Sequence, residues 1–362
     1  MTAANPLLDF SGLPRFEAIR PEHVAPALDV LLAEAEAAVS AAEQVQPVRW
    51  ETFVAPLDDA TERLWRAWGL VGHLQGVVNT PELREAYNSN LPRVTRFASA
   101  LGQNLALYRQ YQALATGPEA GTFDEARRKV LDNTLRDFRL GGAELAPDAQ
   151  QRFAAIKEEL SALSAKFSQN VLDATDAWSL IVEDEARLAG VPDDVKAAAR
   201  AAAANDGRDG WKLTLQMPCY LPVQTWAEDR DLREILYRAS AQRASEFGDD
   251  ALDNSGNIDR ILALRAELAA LLGFDSYADY SVATKMAQDP AEVLGFLRDL
   301  ASRAKPFAAR DRAELEQFAR DHLGIDSLQA WDLAFAADRL KQARYSYSEQ
   351  EVKQYFTEPK VL

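Results

Sequence analysis

The 362 residues are enough for a large core and normally for two or three structural units, and a composition 48% hydrophobic and 27% charged is that of a folded globular chain. A formal charge of −16, from 56 acidic against 40 basic side chains, repels phosphate backbones and anionic headgroups and so argues against nucleic acid or a membrane surface as partner. The single cysteine, Cys219, excludes an intrachain disulfide and a cysteine-rich zinc site; with no signal-like N-terminus and no apolar run of about eighteen residues, a soluble cytoplasmic protein is expected.

Residues 5–24 are dense in proline and glycine, which predicts an extended segment lying over a neighbouring surface before the first helix. Pro21 and Glu22 mark that helix, whose apolar stripe is Val24, Leu28, Leu31, Leu32, Ala35 and Val39, ending near Pro47. The next carries Leu64, Trp65, Trp68, Val71 and Val78 on or near one face. Thr80, Pro81 and Glu82 start another, with Val94, Phe97, Leu101, Leu105 and Tyr108 in helical register. Thr122 and Glu125 stand at capping-box spacing ahead of a helix that Gly141 and Gly142 end. Ile156, Leu160, Leu163, Phe167 and Val171 give the longest clean stripe, a helix of about six turns with Pro147 and Asp148 at its start.

The composition then shifts. Residues 178–182 and 211–216 are short runs rich in aromatic and β-branched side chains, separated by an alanine-rich helix near 192–204, and they predict a small strand pair. Pro218 and Pro222 close it, and helices resume at 230–245. In 257–300 three helix signals are joined by two short turns: the first ends at Gly273, and the third begins at Asp289 and Pro290 and carries Val293, Leu294, Leu297 and Leu300. Further helices are expected at 308–323 and 328–341, and Ser348 with Glu351 forms a capping box for a short one reaching Phe356. The fold class is therefore predominantly α-helical with a small two-stranded β excursion near 178–216. Along the chain this gives an N-terminal helical region, 1–177, a β pair with an intervening helix, 178–222, and a second helical region, 223–362.

Chemistry is sparse. The three histidines, His23, His73 and His322, stand apart, with no pair four residues apart and no H-E-x-x-H, so the sequence offers no local zinc clamp. G-x-S-x-G, P-loop and G-x-G-x-x-G motifs are absent as well. Cys219, between two prolines, reads as an inert thiol, and the pairs Asp58/Asp59, Asp193/Asp194 and Asp249/Asp250 as solvated caps. Trp50, Trp65 and Trp68 fit a core face better than a ligand cleft. Arg344, Tyr345 and Tyr347 combine a guanidinium with aromatics on a loop, a pattern able to contact a peptide.

Several phrases carry a family resemblance: NPLL and LPRFEAIRPEHV near the start, NVLDATDAWSLIV, GWKLTLQMPCYLPV, ILALRAELAALLGFDSYADYSVATKMA, and WDLAFAADRLKQARYSYSEQEVKQYFTEPKVL. The chain resembles the N-terminal half of the oligopeptidase A-like and thimet oligopeptidase-like M3 zinc metallopeptidases. The resemblance implies a neurolysin-like helical lobe forming one wall of a narrow channel for short peptides. It also implies that the zinc ligands and general-base glutamate belong to a catalytic half this chain lacks. No cofactor is expected in this chain, and zinc is expected in the intact family enzyme. Trp331 and Asp332 join Arg344, Tyr345 and Tyr347 as substrate-channel candidates. One departure touches them: relatives usually continue after Trp331 and Asp332 with two consecutive tyrosines, where this chain has Phe335 and Ala336.

The expectation is a noncatalytic lobe, inactive alone, of an enzyme that degrades short cytoplasmic peptides; a stand-alone helical peptide-binding module is the alternative. Its partner would be the missing catalytic half, supplied in the same chain or separately, or a second copy through the apolar face left exposed without it.

Overall fold

The computed structural model describes residues 5–346 and 348–361. They group into two compact units, each drawn from two stretches of sequence. The first runs to Lys166 and takes in Asp259–Pro290; the second comprises Phe167–Ile258 and the chain from Ala291 on.

In the first unit, helix α1 (Pro21–Gln44) begins where the Nδ1 of His23 accepts the Arg20 N–H at 3.0 Å, so one histidine serves as a helix-start acceptor. Helices α2 (Ala55–Val77) and α3 (Pro81–Gly102) pack on it through Val24, Leu28, Leu31, Leu64, Val71, Val94 and Phe97. The Thr80 hydroxyl accepts the Leu83 N–H at 3.2 Å, as its sequence position leads one to expect. Helices α4 (Leu105–Thr116) and α5 (Glu125–Leu140) form a second cluster with Phe53, Val54, Tyr111, Leu131 and Phe138. The cap of α5 is Asp124, whose carboxylate accepts the Arg127 N–H at 2.8 Å, and not Thr122. Thr122 instead closes a 3-10 turn by donating its hydroxyl to the Glu119 carbonyl at 2.7 Å.

Helix α6 (Pro147–Ala177) has 31 residues, longer than its apolar stripe indicates, because residues 172–177 continue the helix beyond Val171. Phe153 and Ile156 bury against Leu264 and Leu268 of α10 (Ser255–Leu271). Two fork-to-fork pairs flank that contact, Arg152 on Glu267 at 2.5 and 2.6 Å and Arg260 on Glu159 at 2.6 and 2.8 Å. The middle helix signal of 257–300 is only a short helix, α11 (Tyr277–Val282), capped by Ser276.

In the second unit, β1 (Ser179–Val182) pairs antiparallel with β2 (Trp211–Thr214), Ser179 opposite Thr214 and Val182 opposite Trp211. Helix α7 (Asp193–Asn205) lies between them in sequence. Gly210 enters β2 at φ +96°, where an added Cβ would stand 2.5 Å from the Val182 carbonyl oxygen; only glycine fits. Helices α8 (Met217–Trp226) and α9 (Arg230–Ala241) complete a core of Val182, Leu188, Leu213, Val223, Leu232 and Leu236.

Helix α12 (Pro290–Leu323) is one 34-residue helix, where separate helices were expected on either side of Pro306. The proline removes one N–H, but the helix is exposed there, so water can satisfy the carbonyl of Ser302 that loses its partner. Helix α13 (Leu333–Tyr345) follows, then short helices at Glu349–Lys353 and Glu358–Val361. Ser348 caps the first of these at 3.4 Å, and it stops at Lys353, short of Phe356.

Candidate functional site

The tightest cluster of charge in the second unit surrounds Asp332, one of the channel candidates. Helix α9 presents Arg230 and Arg233 three residues apart, hence on one side. The turn before α13 delivers Asp332, whose side chain is fully buried. Its carboxylate accepts Arg230 Nε at 3.0 Å and NH2 at 2.7 Å, Arg233 NH2 at 2.9 Å and the Gln329 N–H at 2.9 Å. Arg233 is also buried and donates further to the carbonyls of Ala227 at 2.7 Å, Glu228 at 3.3 Å and Trp331 at 3.2 Å. Burial pushes the Asp332 carboxyl up, but the bonds from Arg230, Gln329 and Arg233 outweigh it and hold the group below its ordinary value. A carboxylate so fully engaged ties α9 to α13 and has no acceptor left to offer a ligand.

Trp331 is half-buried beneath Arg238, whose guanidinium lies 5.0 Å from the indole centroid, and its buried Nε1 has no hydrogen-bond partner among the described residues. Phe335 and Ala336, where relatives usually place two tyrosines, are both buried; the Arg233 and Arg339 guanidiniums lie 4.1 and 4.9 Å from the Phe335 ring. Arg344 and Tyr345 sit at the far end of α13, roughly 18 Å along the helix from Asp332 at 1.5 Å per residue. Arg344 pairs with Glu314 and lies 5.9 Å from the exposed Tyr345 ring. The structure thus joins Trp331 to Asp332 and Arg344 to Tyr345 as two separate pairs. Tyr347 lies outside the described residues.

Among the described residues no group of three or more His, Cys, Asp and Glu could hold a metal ion, so the residues present do not fit a zinc site and no chemistry is routed through one. His73 packs edge-on to Phe16 at 5.6 Å and His322 against Phe318 at 4.8 Å. In the second unit, Cys219 borders a cleft of about 680 Å³ with Lys212, Trp226 and Lys353, and its sulfur accepts the Thr214 N–H at 3.3 Å.

In the first unit a cleft of about 570 Å³ is bordered by Trp65, Trp68, Lys157, Ser161 and Tyr280. The sequence reading assigned both tryptophans to the core. They do pack, Trp68 stacking on Tyr87 at 4.8 Å and Trp65 tilting onto Phe97 at 5.9 Å, but each also presents a surface to this cleft. Lys157 was missed altogether, because a single lysine beside the apolar positions of a long helix gives no signal in the sequence.

The family comparison defines the class. The model of peptidase family M3 matches residues 223–362, and that of the neurolysin/thimet oligopeptidase N-terminal domain matches residues 28–150. The chain belongs to the M3 peptidases. Among curated relatives it is similar to oligopeptidase A of Haemophilus influenzae, 43% identical over 100% of this chain and 54% of that protein. It is likewise similar to oligopeptidase A of Escherichia coli, 44% identical over 99% of this chain and 53% of that protein. The chain spans about half the length of the curated relatives it matches. A solved structure of a putative oligoendopeptidase F shares the fold, with a TM-score of 0.55 at 15% identity, covering 85% of this chain and 46% of that one. No described helix is long and apolar enough to cross a membrane.

Proposed function

We propose that this chain is the noncatalytic N-terminal lobe of an oligopeptidase A-like zinc metalloendopeptidase that degrades short peptides in the cytoplasm. It contributes one wall of the substrate channel and is inactive by itself. One observation carries this reading: the chain aligns end to end with about half of each oligopeptidase A relative, and none of its three histidines stands in an H-E-x-x-H. Arg344 and Tyr345 are the channel contacts it favours, since an exposed guanidinium beside an exposed ring suits a peptide backbone.

The partner this reading calls for is the remainder of an M3 peptidase region, docking on α12. That helix lies inside the stretch matched by the M3 model and exposes Val293, Leu294, Leu297, Leu300 and Phe307 along one side. In the isolated chain the same face drives self-association.

The test is turnover of an internally quenched peptide of about ten residues. The purified chain with added zinc is expected to give none, and mixing it with a separately expressed H-E-x-x-H half from an oligopeptidase A relative is expected to give chelator-sensitive cleavage above that of the half alone. Chelator-sensitive turnover by the 362-residue chain alone refutes the reading.

A further inference from the structure

The cleft of the first unit holds an ammonium group with no partner. Lys157 is half-buried on α6, and no carboxylate or hydrogen-bond acceptor engages it among the described residues; burial alone pushes its ammonium below the ordinary lysine value. The acid that shares the cleft wall, Asp137, is already held by Arg136, with Nε and NH2 both at 2.9 Å. Ser161 lies one turn beyond Lys157 on the same side of α6, borders the same cleft and likewise has no hydrogen-bond partner among the described residues. An uncompensated charge in a partly dry setting costs stability and calls for an anion. Around it the walls are aromatic: Trp65 is 37% exposed, and Trp68 and Tyr280 also border the cleft. Packing on Phe97 and Tyr87 fixes both indoles, so a ligand meets a preformed surface.

We propose that this cleft binds a small carboxylate with an apolar or aromatic body, the carboxylate on Lys157 and Ser161 and the body against Trp65 and Trp68. The positive charge sets the demand for an anion. A planar carboxylate suits an ammonium and a hydroxyl one helical turn apart, and the indole faces favour an apolar group attached to it. Two sources supply that chemistry: a free N-blocked amino acid or similar organic acid, and the C-terminal end of a short peptide. The site stands on its own geometry and does not depend on the proposed peptidase role.

Calorimetry on the full chain tests it with N-acetyl-phenylalanine against N-acetyl-phenylalaninamide, and with a tripeptide ending in phenylalanine against its C-terminal amide. The acid of at least one pair is expected to bind at least tenfold tighter than its amide. Lys157→Met is expected to erase that preference while leaving the melting temperature unchanged or higher, since it removes a charge with no partner. Trp65→Ala is expected to weaken acid and amide alike. Preference in the tripeptide pair alone identifies the peptide end as the ligand; preference in both pairs identifies the shared carboxylate. Equal binding of acids and amides, no binding at 10 mM (roughly the weakest contact worth calling a site), a preference that survives Lys157→Met, or a fall in melting temperature in that variant each overturns the proposal.

Discussion

Asp332→Asn isolates the charge cluster between α9 and α13. The wild-type carboxylate is fully buried and faces two guanidiniums, of which Arg230 is 44% exposed and Arg233 only 1%. Removing the negative charge leaves Arg230 able to turn to water, while Arg233 remains fixed by the carbonyls of Ala227 and Trp331 and must keep its charge out of solvent. Breaking a buried pair by removing one partner typically costs about 3–5 kcal/mol, and nearly all of that cost falls on Arg233. Arg230→Gln is expected to cost only about 1–2 kcal/mol, because Asp332 keeps Arg233 and the Gln329 N–H. The assay is urea unfolding followed by tryptophan fluorescence, with Arg233→Met as the third corner of a cycle. In the double variant Asp332→Asn with Arg233→Met neither charge is stranded, so its loss is expected to fall short of the sum of the singles by at least about 1.5 kcal/mol. Additive losses, or an Asp332→Asn loss under about 1 kcal/mol, refute the claim that this pair is a coupled buried unit.

The same carboxyl links stability to pH. Its folded value lies below the ordinary aspartate value of 3.8, so its contribution is complete above that value and is lost as pH falls through the lower folded one; acid unfolding below about pH 4 is expected to be less steep in Asp332→Asn than in wild type. Gly141→Ala is expected to destabilise the first unit by about 1–3 kcal/mol, because its Cβ would stand 2.7 Å from the Gly102 carbonyl oxygen. Gly102→Ala meets only the Gly141 Cα at 3.6 Å and is expected to stay within about 0.5 kcal/mol, both read as shifts in melting temperature. On α12, Leu297→Glu with Leu300→Glu is expected to convert a concentration-dependent oligomer into a monomer by sedimentation velocity; a wild-type chain already monomeric at high concentration contradicts the docking surface.

Local chemistry carried much of the fold. Thr80 and Ser348 each accept an N–H at the start of their helices, and the strand pair falls within the two β-rich runs. Those features depend on a few neighbouring residues, which a sequence displays directly. Misreadings came where two local signals compete. Thr122 and Asp124 both precede the α5 stripe, and the choice between them rests on the turn at Ala120–Thr122, which draws the threonine hydroxyl back to Glu119. The gap expected between the helix carrying Leu300 and the one at 308–323 holds Pro306, yet a solvent-facing helix tolerates the lost bond. Nor can a linear reading show that the compact units change inside helices, near Lys166 in α6 and Ile258 in α10, because helical periodicity runs through both points unchanged.

Sites were harder to read than elements, for a physical reason that Asp332 and Lys157 illustrate together. In sequence, Asp332 stands out beside Trp331, and Lys157 is one lysine among many on helix surfaces. Folding reverses their availability: Asp332 meets arginines about a hundred residues away in sequence and is saturated, whereas Lys157 is carried into a cleft where Asp137 already belongs to Arg136. What makes a charged group available to a ligand is the absence of a partner after every long-range contact has formed. That absence is a property of the packed molecule, and no motif or spacing encodes it. The carboxylate preference expected at Lys157 therefore follows from what the fold leaves unpaired, and family membership, which was legible in the sequence phrases, has no bearing on it.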